Sequence, residues 1–370
     1  MIEACDRCTR RSWLVGRLAG NLEQIRGNRP AVRGVLALSD RKLIAALGGR
    51  DKSKITAQWS GLDTARQRRE WRSASTSAIC RHNSNFPQSL ADLPDPPAVL
   101  HIYGAPARLD ELLAPSPAVA LVGARRASAD GLELARELGR ALSLCGVTVV
   151  SGMALGIDSA AHEGALAGGA RTVAVLACGP DRAYPARRKR LHGELAERGV
   201  VISELPPGIP PFRWAFPARN RIIAALARMA VVVEAAERSG SLITAEIAAD
   251  LGRSVGAVPG HPGSWHSCGA NALLRDGAHL IRDARDILDD AFGVEAAPSA
   301  VRNREPLPLP LPSSLSDDQA AVVAAVEAGF ITAASVAEYC GGSVEVIGPL
   351  TELELLGVIE RRADGGYRRL

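Results

Sequence analysis

Two sets of side chains in this sequence have the types and spacings that do chemistry. The first is basic and aromatic. The stretch FPARNRIIAALA, residues 216–227, opens a helical pattern with Arg219, Asn220 and Arg221 and then turns apolar without a break. The stretch DRAYPARRKR, residues 181–190, holds five basic residues against one acid and contains Tyr184, Arg187 and Lys189. Tyr184, Phe212, Trp214 and Phe216 crowd into this region of a chain that is only 4% aromatic. Cations interleaved with flat rings suit single-stranded nucleic acid, whose phosphates need charge and whose unpaired bases need stacking partners. A solvated basic loop beside a few core aromatics has the same composition, so on these residues alone the two readings stand level.

The second set is metal-ligating. Cys5 and Cys8 have C-x2-C spacing, and Cys80 and His82 form a C-x-H. Three thiols and an imidazole are the donor set of a structural zinc site, which would tie the N-terminal region to the chain that follows. The second pair is not a standard zinc knuckle, and residues 9–79 separate the two pairs, so spacing leaves open whether the four meet.

Other pairs have simpler explanations. Asp158 and His162, at i and i+4 near a helix start, have the types of a metal or acid–base pair; such an aspartate more often caps the helix and such a histidine is tied locally. Ser239, Ser241 and Thr244 offer hydroxyls, but no histidine in their motif acts as a base, and hydroxyls at a helix mouth more simply bond phosphate oxygens.

The elements that must position these residues are legible as alternating runs. AVALVG at 118–123, VTVVS at 147–151, TVAVLAC at 172–178, VVIS at 200–203, MAVVVEA at 229–235 and SVGAV at 254–258 are short and mostly continuous apolar runs, as strands buried on both faces should be. Helical patterns separate them. The alternation predicts an α/β fold with a parallel sheet and helices on both faces, whose ligands bind beyond the carboxyl ends of the strands. The strand ends carry LVGARRAS, SGMALGIDSAAHEGAL, CGPDRAYPARRKR and EAAERSGSLITAEIA. Small residues such as Gly123, Ser151, Gly152 and Gly240 let a ligand approach the backbone, and free N–H groups at a helix start attract anions. Neither a G-x-G-x-x-G after the first strand nor a G-x-x-x-x-G-K-[ST] is present, so a dinucleotide fingerprint and a P-loop are not supported.

Composition divides the chain into a helical N-terminal domain at 1–75, a sheet domain at 76–292, a proline-rich linker at 293–316 and a small domain at 317–370. With 47% apolar residues the chain is globular, and no run reaches the length of a membrane span. No signal peptide opens it, so the expected location is cytoplasmic. Seven cysteines scattered over 370 residues argue against a disulfide framework. A net charge of +4 is too weak to identify a nucleic-acid partner by itself.

The segments FPQSLADLPDPPAVLHIYG, VGARRAS, SGMALGIDSAAHEGAL, CGPDRAYP, SELPPG, FPARNRII, SGSLITAEIA, GRSVGAVPG and CGANALLRDGA, over about residues 86–283, together resemble the DprA/Smf family of bacterial DNA-processing proteins. The resemblance implies an extended Rossmann-like domain that binds single-stranded DNA, forms a homodimer and loads the RecA recombinase during natural transformation, with no catalytic activity and no cofactor. By position it implies that Arg125 is the main phosphate-binding arginine and that Gly123 shapes its turn. Arg219, Asn220 and Arg221 match the family's R-N-R, and Ser239, Gly240, Ser241 and Thr244 its phosphate-facing turn. Tyr184, Arg187 and Lys189 lie where the family has DNA contacts, by a looser match. Ala124 stands where many members have serine.

The last 55 residues read as three helices and a hairpin, a winged-helix-like pattern with which many family members end. Its third helix carries Glu345, Glu352 and Glu354, where a major-groove reader would be basic, so a protein-contact or structural role is expected there. The competing function is enzymatic. LOG-type nucleotide phosphoribohydrolases carry a turn that parallels SGSLITAEIA, with Glu246 as the candidate acid, one residue closer to Thr244 than in those enzymes.

Overall fold

The computed structural model describes residues 3–24, 35–113, 117–293, 315–341, 346–356, 358–361 and 365–369. The chain divides into two compact units, Met1–Ser299 and Ala300–Leu370. Most of the expected linker, 294–314, lies outside the described residues.

The first unit is built on a nine-stranded sheet: β1 (Thr76–Cys80), β2 (Val99–Tyr103), β3 (Ala118–Val122), β4 (Thr148–Ser151), β5 (Thr172–Leu176), β6 (Val200–Ser203), β7 (Met229–Val232), β8 (Ser254–Ala257) and β9 (His279–Leu280). Their order is β1-β2-β6-β5-β4-β3-β7-β8-β9. From β6 to β9 every pairing is parallel; β1 and β2 add an antiparallel edge beside β6. The expected parallel α/β sheet is therefore present, and the antiparallel edge extends it beyond the strands read from the sequence.

Strands β3 to β7 are buried along their whole length because helices cover both faces. The chain runs from β3 outward through β4, β5 and β6, then crosses back to place β7 on the other side of β3. The carboxyl ends of β3 and β7 thus flank a topological switch point, where open α/β sheets leave a crevice for ligands.

Helices α1 (Asp6–Glu23), α2 (Asp40–Leu47), α3 (Lys52–Ser60) and α4 (Thr64–Ser73) precede β1; α5 (Gln88–Ala91) and α6 (Pro106–Leu113) flank β2. The crossovers use α7 (Ala129–Leu144), α8 (Ile157–Ala167), α9 (Lys189–Arg198), α10 (Ala215–Leu226) and α11 (Gly240–Asp250); α12 (Cys268–Arg275) and α13 (Ala284–Phe292) close the unit.

The N-terminal helices share a core with the sheet. Leu14, Leu18 and Leu22 lie on one face of α1 at helical spacing and are fully buried, each stabilising by roughly 1.5–3 kcal/mol relative to exposure. They pack with Leu43 and Ile44 of α2, Ile55 of α3, and Leu205, Trp214, Ala215 and Ala218 of the sheet region. The Trp214 indole donates to Ala19 O at 3.0 Å. A Cβ on Gly16 would sit 2.7 Å from Pro206 Cγ, so glycine sets how closely α1 approaches. These contacts anchor the first turn of α10, which carries part of the candidate site.

The second unit contains α14 (Asp317–Glu327), α15 (Ala333–Tyr339), α16 (Ile347–Leu355) and the antiparallel pair β10 (Ile359–Arg361) and β11 (Tyr367–Arg369). Capping boxes at Ser316 and Thr332 start α14 and α15. Val322, Val326, Val336, Leu350, Leu353 and Ile359 form its core. The order of helices and strands is the one read from the sequence. Glu352 and Glu354 are exposed on α16, and Glu345 lies outside the described residues.

Candidate nucleic-acid interface

The carboxyl ends of β3, β4 and β5 open onto a pocket of about 170 Å³ lined by Arg125, Gly152, Leu155, Cys178, Tyr184, Arg187 and Phe216, among others. The Arg125 guanidinium lies over the Phe216 ring, 5.1 Å from its centroid. The Phe216 and Tyr184 rings are tilted against each other at 5.8 Å, and Tyr184 is 40% exposed. One exposed cation, one ring beneath it and a second ring facing solvent are thus brought together from the chain after β3, the first turn of α10 and the chain after β5. Phe216 was visible only as one of a crowd of aromatics; its pairing with Arg125 was not read from the sequence.

The turn that presents Arg125 is fixed from behind. Ala124 N donates to Glu234 O at 2.7 Å, across the switch point to the chain after β7. The Glu234 carboxylate accepts from Ser128 N and Ser128 Oγ, and Ser128 caps α7. Gly123 is required here because a Cβ would meet Ile157 Cγ1 at 2.6 Å and Glu234 O at 2.9 Å. Arg125 itself makes no ion pair among the described residues, so its charge is directed outward.

Arg219 lies behind the pocket. Its Nη1 donates to Val175 O at 2.6 Å, and the side chain is buried. A Cβ on Gly152 would stand 1.7 Å from that Nη1, so only glycine lets the guanidinium lie against the end of β4. Burial pushes the Arg219 pKa down, against the pull of Asp158, and Arg125 pushes it down further. Asp158 is raised by burial and lowered by Arg219; its carboxylate also accepts from Gly152 N at 3.2 Å and Ala154 N at 3.4 Å. The aspartate therefore organises the loop after β4. His162 is hydrogen-bonded through Nδ1 to Thr172 Oγ1 at 2.7 Å, and burial pushes it down to about 3, so it is neutral. The local, structural explanation of Asp158 and His162 is the one the geometry supports.

Four expected contact residues are committed to the fold. Arg221 is 1% exposed: Nε donates to Asp95 Oδ2 at 3.0 Å and Nη2 to Glu204 Oε1 at 2.9 Å and Asp95 O at 3.0 Å. Desolvation opposes its charge, but Glu204 and Asp95 outweigh it and hold the pKa up. Ser151 is fully buried, with Oγ donating to Leu121 O on the neighbouring strand side at 2.6 Å. Thr244 is 1% exposed within α11. Asn220 is buried and donates through Nδ2 to Gly240 O at 3.3 Å, pinning the α11 turn to α10. Arg221, Ser151 and Thr244 are thus buried within the fold, the first two with their polar atoms engaged inside it.

Of the remaining expected residues, Ser239, Gly240, Lys189 and Arg187 reach the surface, whereas Ser241 is buried. Ser239 caps α11, its Oγ 2.7 Å from Ser241 Oγ, with Gly240 exposed between them. Lys189 is exposed at the start of α9 and is not among the pocket-lining residues. Arg187 is exposed and lines the pocket, whereas Arg188 pairs with Glu163 at 2.8 Å. Glu246 is exposed partway along α11, apart from the residues lining the pocket. A larger cleft of about 440 Å³ includes Arg7, Arg11, Arg81, Asp95 and Arg221. Two of its cations already face carboxylates, Arg11 with Asp40 at 2.9 Å and Arg221 with Asp95, which leaves less charge for an anion.

Comparison with known proteins agrees on this architecture. Residues 77–292 match the family model described as DNA recombination-mediator protein A. The whole chain is 39% identical, over 374 aligned residues and 87% of the relative's length, to the DNA processing protein DprA of Mycobacterium tuberculosis. The crystal structure of DprA from Streptococcus pneumoniae aligns with a TM-score of 0.62 at 31% identity, covering 78% of this chain and 99% of that one. A DprA structure from Helicobacter pylori, described for its single-stranded DNA binding mode, aligns with a TM-score of 0.52 at 30% identity over 58% of this chain and 94% of that one.

Proposed function

Because the chain belongs to the DNA recombination-mediator protein A family, we propose that it binds single-stranded DNA at the carboxyl edge of its sheet and passes that strand to a RecA recombinase. The observation that carries this reading is the placement of Arg125 over Phe216 beside the exposed Tyr184. A phosphate reaches the guanidinium while an adjacent unpaired base stacks on the tyrosine, a pairing of contacts that a duplex with its bases stacked inside does not offer. Arg187 extends the cationic rim, and the Ser239–Ser241 turn supplies hydroxyls and N–H groups for a further phosphate.

The buried Arg219 contributes field rather than contact, since the low-polarity surroundings screen it weakly. Asn220 acts on the α11 turn. The reading includes no catalytic step: the best acid–base candidates, Asp158 and His162, are spent on loop backbone and on Thr172. It includes a homodimer, so that two such edges engage one strand, and a cytoplasmic location, where incoming DNA meets the recombinase.

The test is fluorescence anisotropy with a labelled oligothymidine and its duplex counterpart over a series of salt concentrations. Preference for the single strand, with affinity falling linearly in log salt, is the expected result. Equal or tighter duplex binding overturns it. Filament assembly by RecA on strands precoated with single-strand-binding protein, with and without this chain, tests the hand-over. Base release from nucleoside monophosphates would favour the phosphoribohydrolase alternative instead.

A further inference from the structure

We propose that Cys5, Cys8, Cys80 and His82 form a structural zinc site that clamps the N-terminal helices to the outer edge of the sheet. The site is remote in sequence from the DNA-binding motifs and does not depend on the functional reading. The fold brings together two pairs separated by residues 9–79. Their three Sγ atoms and the imidazole nitrogen all lie within 4.8 Å of one another. His82 Nδ1 is 3.4 Å from Cys5 Sγ, 3.3 Å from Cys8 Sγ and 3.9 Å from Cys80 Sγ. Zinc–sulfur bonds of about 2.3 Å and zinc–nitrogen bonds of about 2.0–2.1 Å, set tetrahedrally, place sulfur and nitrogen about 3.6 Å apart. The three distances bracket that value, so one ion at the centre needs only small shifts.

The surroundings suit a metal better than a chance cluster of thiols. Cys5 is the N-cap of α1 and Cys8 lies in its first turn. Thiolates there meet the positive end of the helix, which offsets the net negative charge of a three-thiolate, one-imidazole zinc centre. Cys80 ends β1, and His82 follows in a turn closed by Asn83 N donating to Cys80 O at 2.8 Å. Asn83 Oδ1 accepts from Cys80 N at 2.6 Å, and Asn83 Nδ2 donates to Glu3 O at 3.3 Å. Ala4 N donates to Ala78 O at 2.9 Å. Backbone and side-chain bonds thus hold both ligand pairs in place, as hydrogen bonds behind the ligands do in metal sites. Cys8 and Cys80 are buried beside Ala4, Trp71, Ala78 and Val99, while Cys5 and His82 lie nearer the surface.

Three thiolates and one imidazole in tetrahedral array select zinc over magnesium or calcium, which take oxygen ligands, and differ from the four cysteines of common iron–sulfur centres. The role is mechanical: β1 is the edge strand, and a bond between it and α1 fixes the helices that in turn anchor α10.

The experiment is elemental analysis of the full chain, purified without chelator and without a metal-binding tag, followed by cobalt reconstitution of the reduced, metal-stripped protein. About one zinc per chain is expected, together with the thiolate charge-transfer and d–d bands of tetrahedral cobalt and a lower Tm after stripping. Less than about a tenth of an equivalent of zinc overturns the site, as do absent cobalt bands. Full zinc retention in a Cys5→Ser/Cys80→Ser variant overturns it too, and so does a disulfide among these cysteines found by mass spectrometry after alkylation. Since that double variant can fail to fold, the cobalt spectrum of the unmodified protein keeps the proposal falsifiable.

Discussion

Arg219 and Arg221 stand two residues apart on α10, and their guanidiniums serve different parts of the molecule. Arg219 Nη1 reaches Val175 O under the pocket lined by Arg125, Tyr184 and Phe216; Arg221 turns to Asp95 and Glu204 and is sealed between them. Residues at i and i+2 do not share a helix face, so one short motif supplies both a charge for the site and a brace for the fold.

The first prediction follows from that division. Arg221→Ala removes one partner from a buried ion-pair group and leaves two carboxylates facing a void. The loss is about 3 kcal/mol, at the low end for a broken buried pair because Asp95 and Glu204 keep some solvent. Tm falls, and single-strand affinity of the folded fraction stays near wild type. Gly152→Ala does the opposite: its Cβ displaces Arg219, and affinity falls more than stability. Denaturant melts and anisotropy on both variants check this, and matching profiles would sink it.

Tyr184→Ala removes a stacking surface that is 40% exposed, so the fold loses little. Stacking contributes about 1–3 kcal/mol per base and releases no counterions. Affinity therefore drops by a similar factor at every salt concentration. A drop confined to low salt, or a Tm loss without a binding loss, would return Tyr184 to a structural role.

A third prediction concerns pH. His101, fully buried on β2, has Nε2 2.7 Å from Ser12 Oγ of α1 and packs edge-on to Trp71, with ring centroids 4.5 Å apart. Burial pushes its pKa from 6.5 down to about 3. The unfolded chain then binds a proton that the folded chain does not, so stability is full above about pH 6.5 and falls as pH is lowered towards 3. Between pH 6.5 and 5 this histidine costs about 2 kcal/mol. His101→Gln keeps a polar partner for Ser12 without a titrating ring. Wild-type stability should fall more steeply than the variant's over that interval; parallel curves would refute the assignment.

The parallel core was legible because β3 to β8 are short apolar runs that need no partner to be recognised. The antiparallel edge was not. β1 is TSAIC, and its strand character comes from pairing Thr76 with Tyr103 and Cys80 with Val99. β9 is two residues held by β8. In the site, motifs located the strand ends correctly, but burial sorted their residues. Ser151 ends a strand at the expected place, yet its hydroxyl is taken by Leu121 O. Spacing showed that Arg219 and Arg221 face different ways; only Asp95 and Glu204, distant in sequence, decide which one braces the fold. Phe216 gains its meaning from Arg125, a contact between residues distant in sequence at the carboxyl edge of the sheet.

The most direct test of the interface is the affinity of Arg125→Ala for labelled oligothymidine across salt concentrations, with Tm measured on the same preparation. Arg125 is exposed and makes no ion pair among the described residues, so Tm is expected to stay unchanged. Affinity is expected to fall by about 10- to 100-fold, from one charged hydrogen bond of about 1.5–3 kcal/mol. The log–log salt slope should become shallower by about 0.7, the share of one phosphate contact on a single strand. Wild-type affinity and slope in a folded Arg125→Ala protein would contradict the placement of DNA at this edge.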